Sequence, residues 1–450
     1  MTDPTPGAEI LHLAADFPPA PTAAWEAAIQ KDLKGADYEK KLVWRTDEGL
    51  AVRPYYRRED AAGVTAPVGI PAGWAIVQDG ALPDNAVRAD EWHDQGATAV
   101  QELAYALSAA VEQLANGSKP AFVFAIGSNY FFEIAKLRAA RLLWQQVAQA
   151  FGATEPVAIY ARTARSNKSL FDPYTNLLRV TTEALSAAIG GCDALTVEAY
   201  GFDSHLAANV HHIVKEEAHI DKVADPAAGS YYVESLTHSL AQEAWKLFQQ
   251  VEAQGGFTAA KPAIEAAIAA SRTAKEKAVA SRRRTLVGVN NYPNTMEKTP
   301  ASGIIPARWR LAQPFENIRN RTLRYAKANG RYPKVLLLKR GDVKMRMARA
   351  QFCLNFFGCA GFDIVESDTL EHADLIVLCS SDPEYLGLAL DVIPQTEAPV
   401  LVAGNPKDQI DALKGAGVAG FVHLLSNAVD TLTEWQDKLG LPKLDQEPIR

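Results

Sequence analysis

The sequence predicts an α/β protein with two successive parallel-sheet regions behind a short N-terminal arm. Three observations carry this reading. From about residue 69 to 290, short apolar runs alternate with amphipathic helices, the rhythm that builds a barrel or a doubly wound sheet. From 333 to 440, five more apolar runs (KVLLL, FDIVE, ADLIVLCS, PVLVAG and GFVHLL) alternate with helices, which is the pattern of a flavodoxin-like doubly wound sheet. A length of 450 residues, 48% of them hydrophobic, is enough for two or three cores.

Composition narrows the function classes. A net charge of -7 argues against a nucleic-acid surface. No run of 18 apolar residues offers a membrane span. The N-terminal MTDPTPGAEI has no basic region followed by an apolar one, so no secretory signal is expected and the chain is predicted to be cytoplasmic. Cys192, Cys353, Cys359 and Cys379 show no C-x-x-C spacing and read as buried thiols, with no metal site expected.

Residues 1–68 read as an arm. Pro18, Pro19 and Pro21 precede a short helix, with Thr22 as its expected N-cap and Trp25, Ile29 and Leu33 along one face; Lys34-Gly35 ends it. KLVWRT and LAVRPYY, joined by Asp47-Glu48-Gly49, read as a hairpin. Trp25, Trp44, Tyr55 and Tyr56 are much aromatic surface for so short a segment, and an arm this size cannot bury them alone. They are expected to pack on the chain's own next domain or on a partner subunit.

In the 69–290 region, strands are expected at 74–78, 121–127, 157–162 and 194–200, with helices at 102–114, about 174–189, 235–253 and 258–288, and one carrying Ile134, Leu137, Leu142 and Trp144. Four or five strands are too few for a complete eight-unit barrel, which takes about 250 residues. Residues 291–332 read as a linker with Pro293, Pro300, Pro306 and Pro314, then a basic helix, NIRNRTLRYAKANG. Its Arg and Lys residues read as a solvated face or as a hold for a phosphate-bearing ligand. Residues 333–450 form the last domain. Its crossing, Val335–Asp363, runs from strand to loop to helix, the place where such sheets bind ligands.

Five stretches resemble the methylmalonyl-CoA mutase family: DLKGADYEKKLVWRTDEG (32–49), FAIGSNYFFEIAKLRAARLLW (124–144), SLFDPYTNLLRVTTEALSAAIGG (169–191), KVADPAAGSYYVESLT (222–237) and NFFGCAGFDIV (355–365). The arm and NFFGCAGF look most like the small, cofactor-free subunit of the heterodimeric bacterial enzymes. The resemblance implies an incomplete TIM-type (β/α) barrel followed by a flavodoxin-like domain of the cobalamin-binding type. In this family methylmalonyl-CoA and succinyl-CoA are interconverted through radicals with adenosylcobalamin.

Three departures from the family pattern stand in the residues. Active members carry Asp-x-His-x-x-Gly after the first strand of the last domain. Here Asp342 remains, the place of the cobalt-binding histidine falls on Arg346, and that of the glycine on Arg349. A guanidinium has no lone pair for a metal, and Met345, Met347 and Arg349 are expected to crowd the nucleotide slot. His372 and His423, the other histidines of this domain, are expected to be ordinary core or surface residues. In the barrel, the place of the substrate-carbonyl histidine falls on Glu91, with His93 two residues later in EWHDQGA. Between Gln78 and about Val87, GALPDNA replaces several strand–helix units, so open strand edges need cover.

The resemblance therefore implies a non-catalytic small subunit that stabilises or regulates a methylmalonyl-CoA mutase large subunit, with adenosylcobalamin on that partner and no cofactor on this chain. Ser380, Ser381 and Gly404 are the residues of a vestigial cleft. Two alternatives remain: a family member that itself binds acyl-CoA or cobalamin, and a stand-alone scaffold.

Overall fold

The computed structural model describes residues 16–17, 19–64, 66–78, 81–152, 155–297, 299–300 and 309–443. The expectations attached to MTDPTPGAEI, Pro18, Gly80 of GALPDNA and Pro306 lie outside the described residues. The chain divides into two compact units between Tyr56 and Arg57.

The first unit holds helices α1 (Thr22–Asp32) and α2 (Tyr38–Lys41) and the antiparallel strands β1 (Trp44–Arg45) and β2 (Ala51–Val52). Extended Pro21, not Thr22, precedes the first helical residue, and α1 buries none of its side chains. The hairpin forms where Thr46 Oγ1 accepts the backbone N–H groups of Glu48 and Leu50, each at 3.2 Å. Gly49 takes the left-handed turn position at φ +82°, which a side chain would strain.

The second unit begins with five parallel strands: β3 (Ala75–Ile76), β4 (Ala86–Arg88), β5 (Ala121–Ile126), β6 (Ala158–Thr163) and β7 (Ala194–Thr196). Between and after them run α3 (Ala89–His93), α4 (Ala99–Ala115), α5 (Tyr130–Ala150), α6 (Pro173–Gly190), α7 (Ser204–His212), α8 (Tyr231–Ala253) and α9 (Phe257–Ala280). All six positions of β5 are buried, as expected of a strand covered on both faces. Phe122 meets Trp144 of α5 edge-on at 5.7 Å, and Lys136 of α5 lies over Phe124. Gly190 continues α6 and Gly191 ends it in the left-handed conformation.

Strand order is β3-β7-β6-β5-β4. The chain thus leaves β3 at one edge and enters β4 at the opposite edge, about four strand spacings or ~19 Å away. Residues 77–85 make the passage, and a chain of that length reaches at most about 30 Å. Strand β4 was not expected: it is a three-residue edge strand whose Arg88 side chain is 42% exposed, too short and too polar for a periodic signal. The helix expected to reach 288 stops at Ala280. Asn290 Nδ2 donates to the carbonyls of Val279 and Arg284 there, which satisfies groups that a continuing helix would have used.

After α10 (Gln313–Asn329) comes a second parallel sheet, built of β8 (Lys334–Lys339), β9 (Asp363–Ser367), β10 (Leu375–Cys379), β11 (Val400–Ala403) and β12 (Gly420–Val422). Helices α11 (Val343–Gly358), α12 (Tyr385–Val392), α13 (Ile410–Gly415) and α14 (Ala428–Lys438) connect and cover it. Its order is β12-β11-β10-β8-β9, so the strand order reverses between the parallel neighbours β8 and β10. Alternate strand residues explain the two-sided cover. Val335, Leu337, Val377 and Leu401 join a core with Phe356, Phe357 and Trp435, whereas Leu336, Leu338, Ile376 and Val402 join one with Tyr385, Val392 and Leu413. All four cysteines are free and buried, and no described helix is long and apolar enough to cross a membrane.

Candidate functional site

The reversal between β8 and β10 opens a crossing at the carboxyl ends of the strands, where a doubly wound sheet binds its ligand. Here the crossing is bridged by the protein's own groups. Glu384 Oε2 accepts from Ser380 Oγ and Ser381 Oγ, each at 2.6 Å, and from the backbone N–H groups of Asp342 (3.1 Å) and Ser381 (3.2 Å). The donors, with Ser380 foremost, hold the Glu384 carboxyl down to about 2. Gly341, at φ +77°, comes so close to Glu384 and Ser380 that a Cβ there would overlap both.

Behind this bridge the Tyr385 hydroxyl donates to Ala403 O at 2.6 Å and accepts the Ser380 N–H at 3.2 Å. Arg349 reaches from α11 toward β11. Its Nη2 stands 3.1 Å from Asp382 Oδ1, and its guanidinium carbon would be 3.5 Å from a Cβ on Gly404. Ser380, Ser381 and Gly404 thus share one end of the sheet with Arg346 and Arg349, but the serines are committed to Glu384.

Arg346 lies in the first turn of α11, behind Asp342, whose Oδ1 caps that helix by accepting the Met345 N–H at 2.8 Å. Its only charged neighbour within reach among the described residues is Asp368, at 3.9 Å. Met347 is 50% exposed, and Arg349 extends beside Gly404. His372 is exposed before β10. His423 follows β12, its Nδ1 accepting the Leu425 N–H at 3.2 Å, and burial lowers its basicity. These groups do not fit a corrinoid held by an imidazole from the loop after β8. Nor do the described residues bring three His, Cys, Asp or Glu side chains together as a metal site.

Sequence reasoning missed Glu384, although Ser381-Asp382-Pro383-Glu384 before an apolar run is a readable capping box.

The first sheet carries a second polar cluster at its strand ends. Glu91 is turned to solvent on α3, its Oε1 3.3 Å from Arg88. It is His93, two residues on, that faces inward. His93 Nδ1 lies 2.7 Å from Glu102 Oε1, and Lys136 Nζ binds Glu102 at 2.9 Å, Glu133 at 2.6 Å and the Ala125 carbonyl at 2.7 Å. Burial, helped by Lys136, pushes His93 down to about 3, and burial pushes Glu102 up to about 7. The imidazole is therefore neutral at pH 7, in a hydrogen bond with the Glu102 carboxyl. Nearby, Arg162 joins Asp90 and Asp94, Arg165 joins Glu198, and buried Lys168 joins Glu183 at 2.7 Å. Each charge is spent on a partner inside the chain. The arrangement holds strand ends together.

In the first unit the Trp25 and Tyr55 rings lie 4.5 Å apart, and Arg53 lies over Tyr56 at 5.0 Å. Trp44 and Tyr55 are 47% and 45% exposed.

Comparison with known proteins bears on all three regions. A family model described as methylmalonyl-CoA mutase matches residues 85–314. A methylmalonyl-CoA mutase small subunit of Porphyromonas gingivalis is 32% identical over 95% of this chain and 99% of its own length. That alignment runs over 615 positions, so well over a hundred of them face no residue of this 450-residue chain. A probable methylmalonyl-CoA mutase small subunit of Mycobacterium tuberculosis is 30% identical over 78% of this chain and 63% of its own length. A methylmalonyl-CoA mutase of Rhizobium meliloti is 40% identical, but over 46% of this chain and 33% of its own length.

Proposed function

Because this chain belongs to the methylmalonyl-CoA mutase family, we propose that it is the small subunit of a heterodimeric mutase that interconverts methylmalonyl-CoA and succinyl-CoA. It stabilises or regulates a catalytic large subunit, and adenosylcobalamin sits on that partner. The observation that carries this reading is the match across nearly the whole of a small subunit, against a match to under half of this chain by a protein named simply as the mutase. Arg346 in the histidine's place, and a crossing bridged by Glu384, support a cofactor-free chain.

The finer architecture follows. The order β3-β7-β6-β5-β4 is the cyclic order of a barrel opened between its first two strands, which supports a barrel interrupted at GALPDNA. Numbered within its own domain, the second sheet runs 2-1-3-4-5, which supports a flavodoxin-like domain. Residues 1–68 serve as the arm, 69–290 as the shortened barrel, 291–332 as the linker and 333–450 as the last domain. Trp25, Trp44, Tyr55 and Tyr56 contact the large subunit, since interfaces favour such aromatic anchors. The protein works in the cytoplasm.

Co-expression with the large subunit from the same source tests this. The two chains should co-elute as a heterodimer on a sizing column, and Trp25→Ala with Tyr55→Ala should weaken it. The isolated chain should retain no corrinoid absorbance after incubation with adenosylcobalamin. Separate elution of the wild-type chains removes the partner reading, and a stoichiometric corrinoid complex with this chain alone overturns the cofactor-free one.

A further inference from the structure

Helix α10 joins the two sheets of the second unit. One of its faces is buried: Phe315, Ile318, Arg319 and Thr322 are at most 4% exposed, and Arg319 lies over the Phe171 ring at 4.4 Å. A different face, at positions 320, 323, 324 and 327, lines an open groove of about 520 Å³ together with Pro300 and Arg331. That volume lies within the roughly 300–1,000 Å³ usual for small-molecule sites.

Two independent features mark this groove. Asn320 is only 8% exposed, and its Nδ2 is buried without a hydrogen-bond partner among the described residues. A buried donor left unpaired is costly and rare. One and two turns further along, Arg324 and Lys327 are exposed, and neither makes an ion pair or a hydrogen bond among the described residues. Arg331 is different: it is held in a two-pronged pair with Asp374 at 2.5 and 2.8 Å. That pair occupies the nearby carboxylate and leaves Arg324 and Lys327 for a ligand.

We propose that this groove binds the phosphate group of a small phosphate-bearing molecule, with Asn320, Arg324 and Lys327 as its donors. The set consists of an amide N–H, a guanidinium and an ammonium, spaced along one helix face. A carboxylate offers two oxygens. A phosphate offers three, so each donor can take its own, and charge-assisted bonds to the two cations supply most of the affinity. Leu323 and Pro300 give the rest of the ligand an apolar wall. The inference rests on the α10 face alone and is independent of the heterodimer reading.

Calorimetric titration of the full-length chain with inorganic pyrophosphate, at fixed ionic strength and against a chloride control, tests it. The wild-type chain should bind with a dissociation constant of about 1 mM or tighter. The Arg324→Gln/Lys327→Gln variant, altered only at exposed positions, should bind about tenfold more weakly or worse. Asn320→Leu should weaken binding as well, and Lys261→Gln on the exposed side of α9 should leave it unchanged. If Asn320→Leu fails to fold, the double variant decides. No saturable binding by the wild type, or wild-type affinity in the double variant, overturns the proposal.

Discussion

Glu384 Oε2 accepts the backbone N–H of Asp342 at 3.1 Å, tying the loop after β10 to the loop after β8. The bond closes the crossing of the second sheet with a side chain from the protein itself. It also forces the chain to pass close by at Gly341.

Gly341→Ala tests that closeness. The new Cβ would sit in a left-handed position and overlap both Glu384 and Ser380, so we expect a loss of about 1–3 kcal/mol in a urea titration. Adding Glu384→Ala to Gly341→Ala should recover part of the loss. A double variant no more stable than Gly341→Ala would show that the contact is not the source.

Arg346→His places an imidazole where the family pattern has one. We expect no bound corrinoid absorbance after gel filtration of the variant with adenosylcobalamin, because Arg349 still extends beside Gly404 and Glu384 still bridges the loops. Retention of the corrinoid spectrum by this single variant would mean that the ligand place alone had been missing.

Lys168 and Glu183 are both fully buried and bound to each other. Burial opposes the charged form of each, and their contact offsets it. Lys168→Met should cost about 3–5 kcal/mol by stranding the carboxylate. Lys168→Met with Glu183→Leu should be markedly more stable than the single variant, as read from urea midpoints. Equal stability of the two would refute the stranded-charge explanation.

Acid should weaken the fold through His211. Its Nδ1 accepts the Trp74 indole N–H at 3.3 Å, and burial, with His212 and Lys215, lowers its pKa from 6.5 to about 4. The unfolded chain binds this proton first, so stability is full above about 6.5 and falls as the pH drops toward 4. The loss from this group is at most about 3 kcal/mol. His211→Gln should flatten the decline in that window, with intrinsic tryptophan fluorescence reporting unfolding; an unchanged slope would exclude His211 as the titrating group.

Much of the fold was legible because its strands are apolar runs with clear stops. KVLLL, ADLIVLCS and PVLVAG are buried on both sides, and no helix period imitates them. AFVFAIG was legible for the same reason. Strand β4 and helix α7 were not: three residues ending in a half-exposed arginine, and a histidine-containing nine-residue helix, carry little periodicity. The buried charges were also hidden. Lys136 reads as a surface residue of an amphipathic helix, and it is buried because Glu102, distant in sequence, arrives beside it. At the crossing, the missing histidine was visible residue by residue, but the bridge depends on Glu384 meeting a loop some forty residues earlier.

The pairing of Ala75 with Ala194 sets a timetable for synthesis. β3 has β7 as its neighbour in the sheet, and everything from β4 to α6 is translated between them. At roughly 5–20 residues per second, β3 waits on the order of ten seconds on the ribosome before its neighbour exists. Strands β4 to β7, each beside its predecessor, can assemble as they emerge, so the segment that comes first in the sequence joins its sheet last.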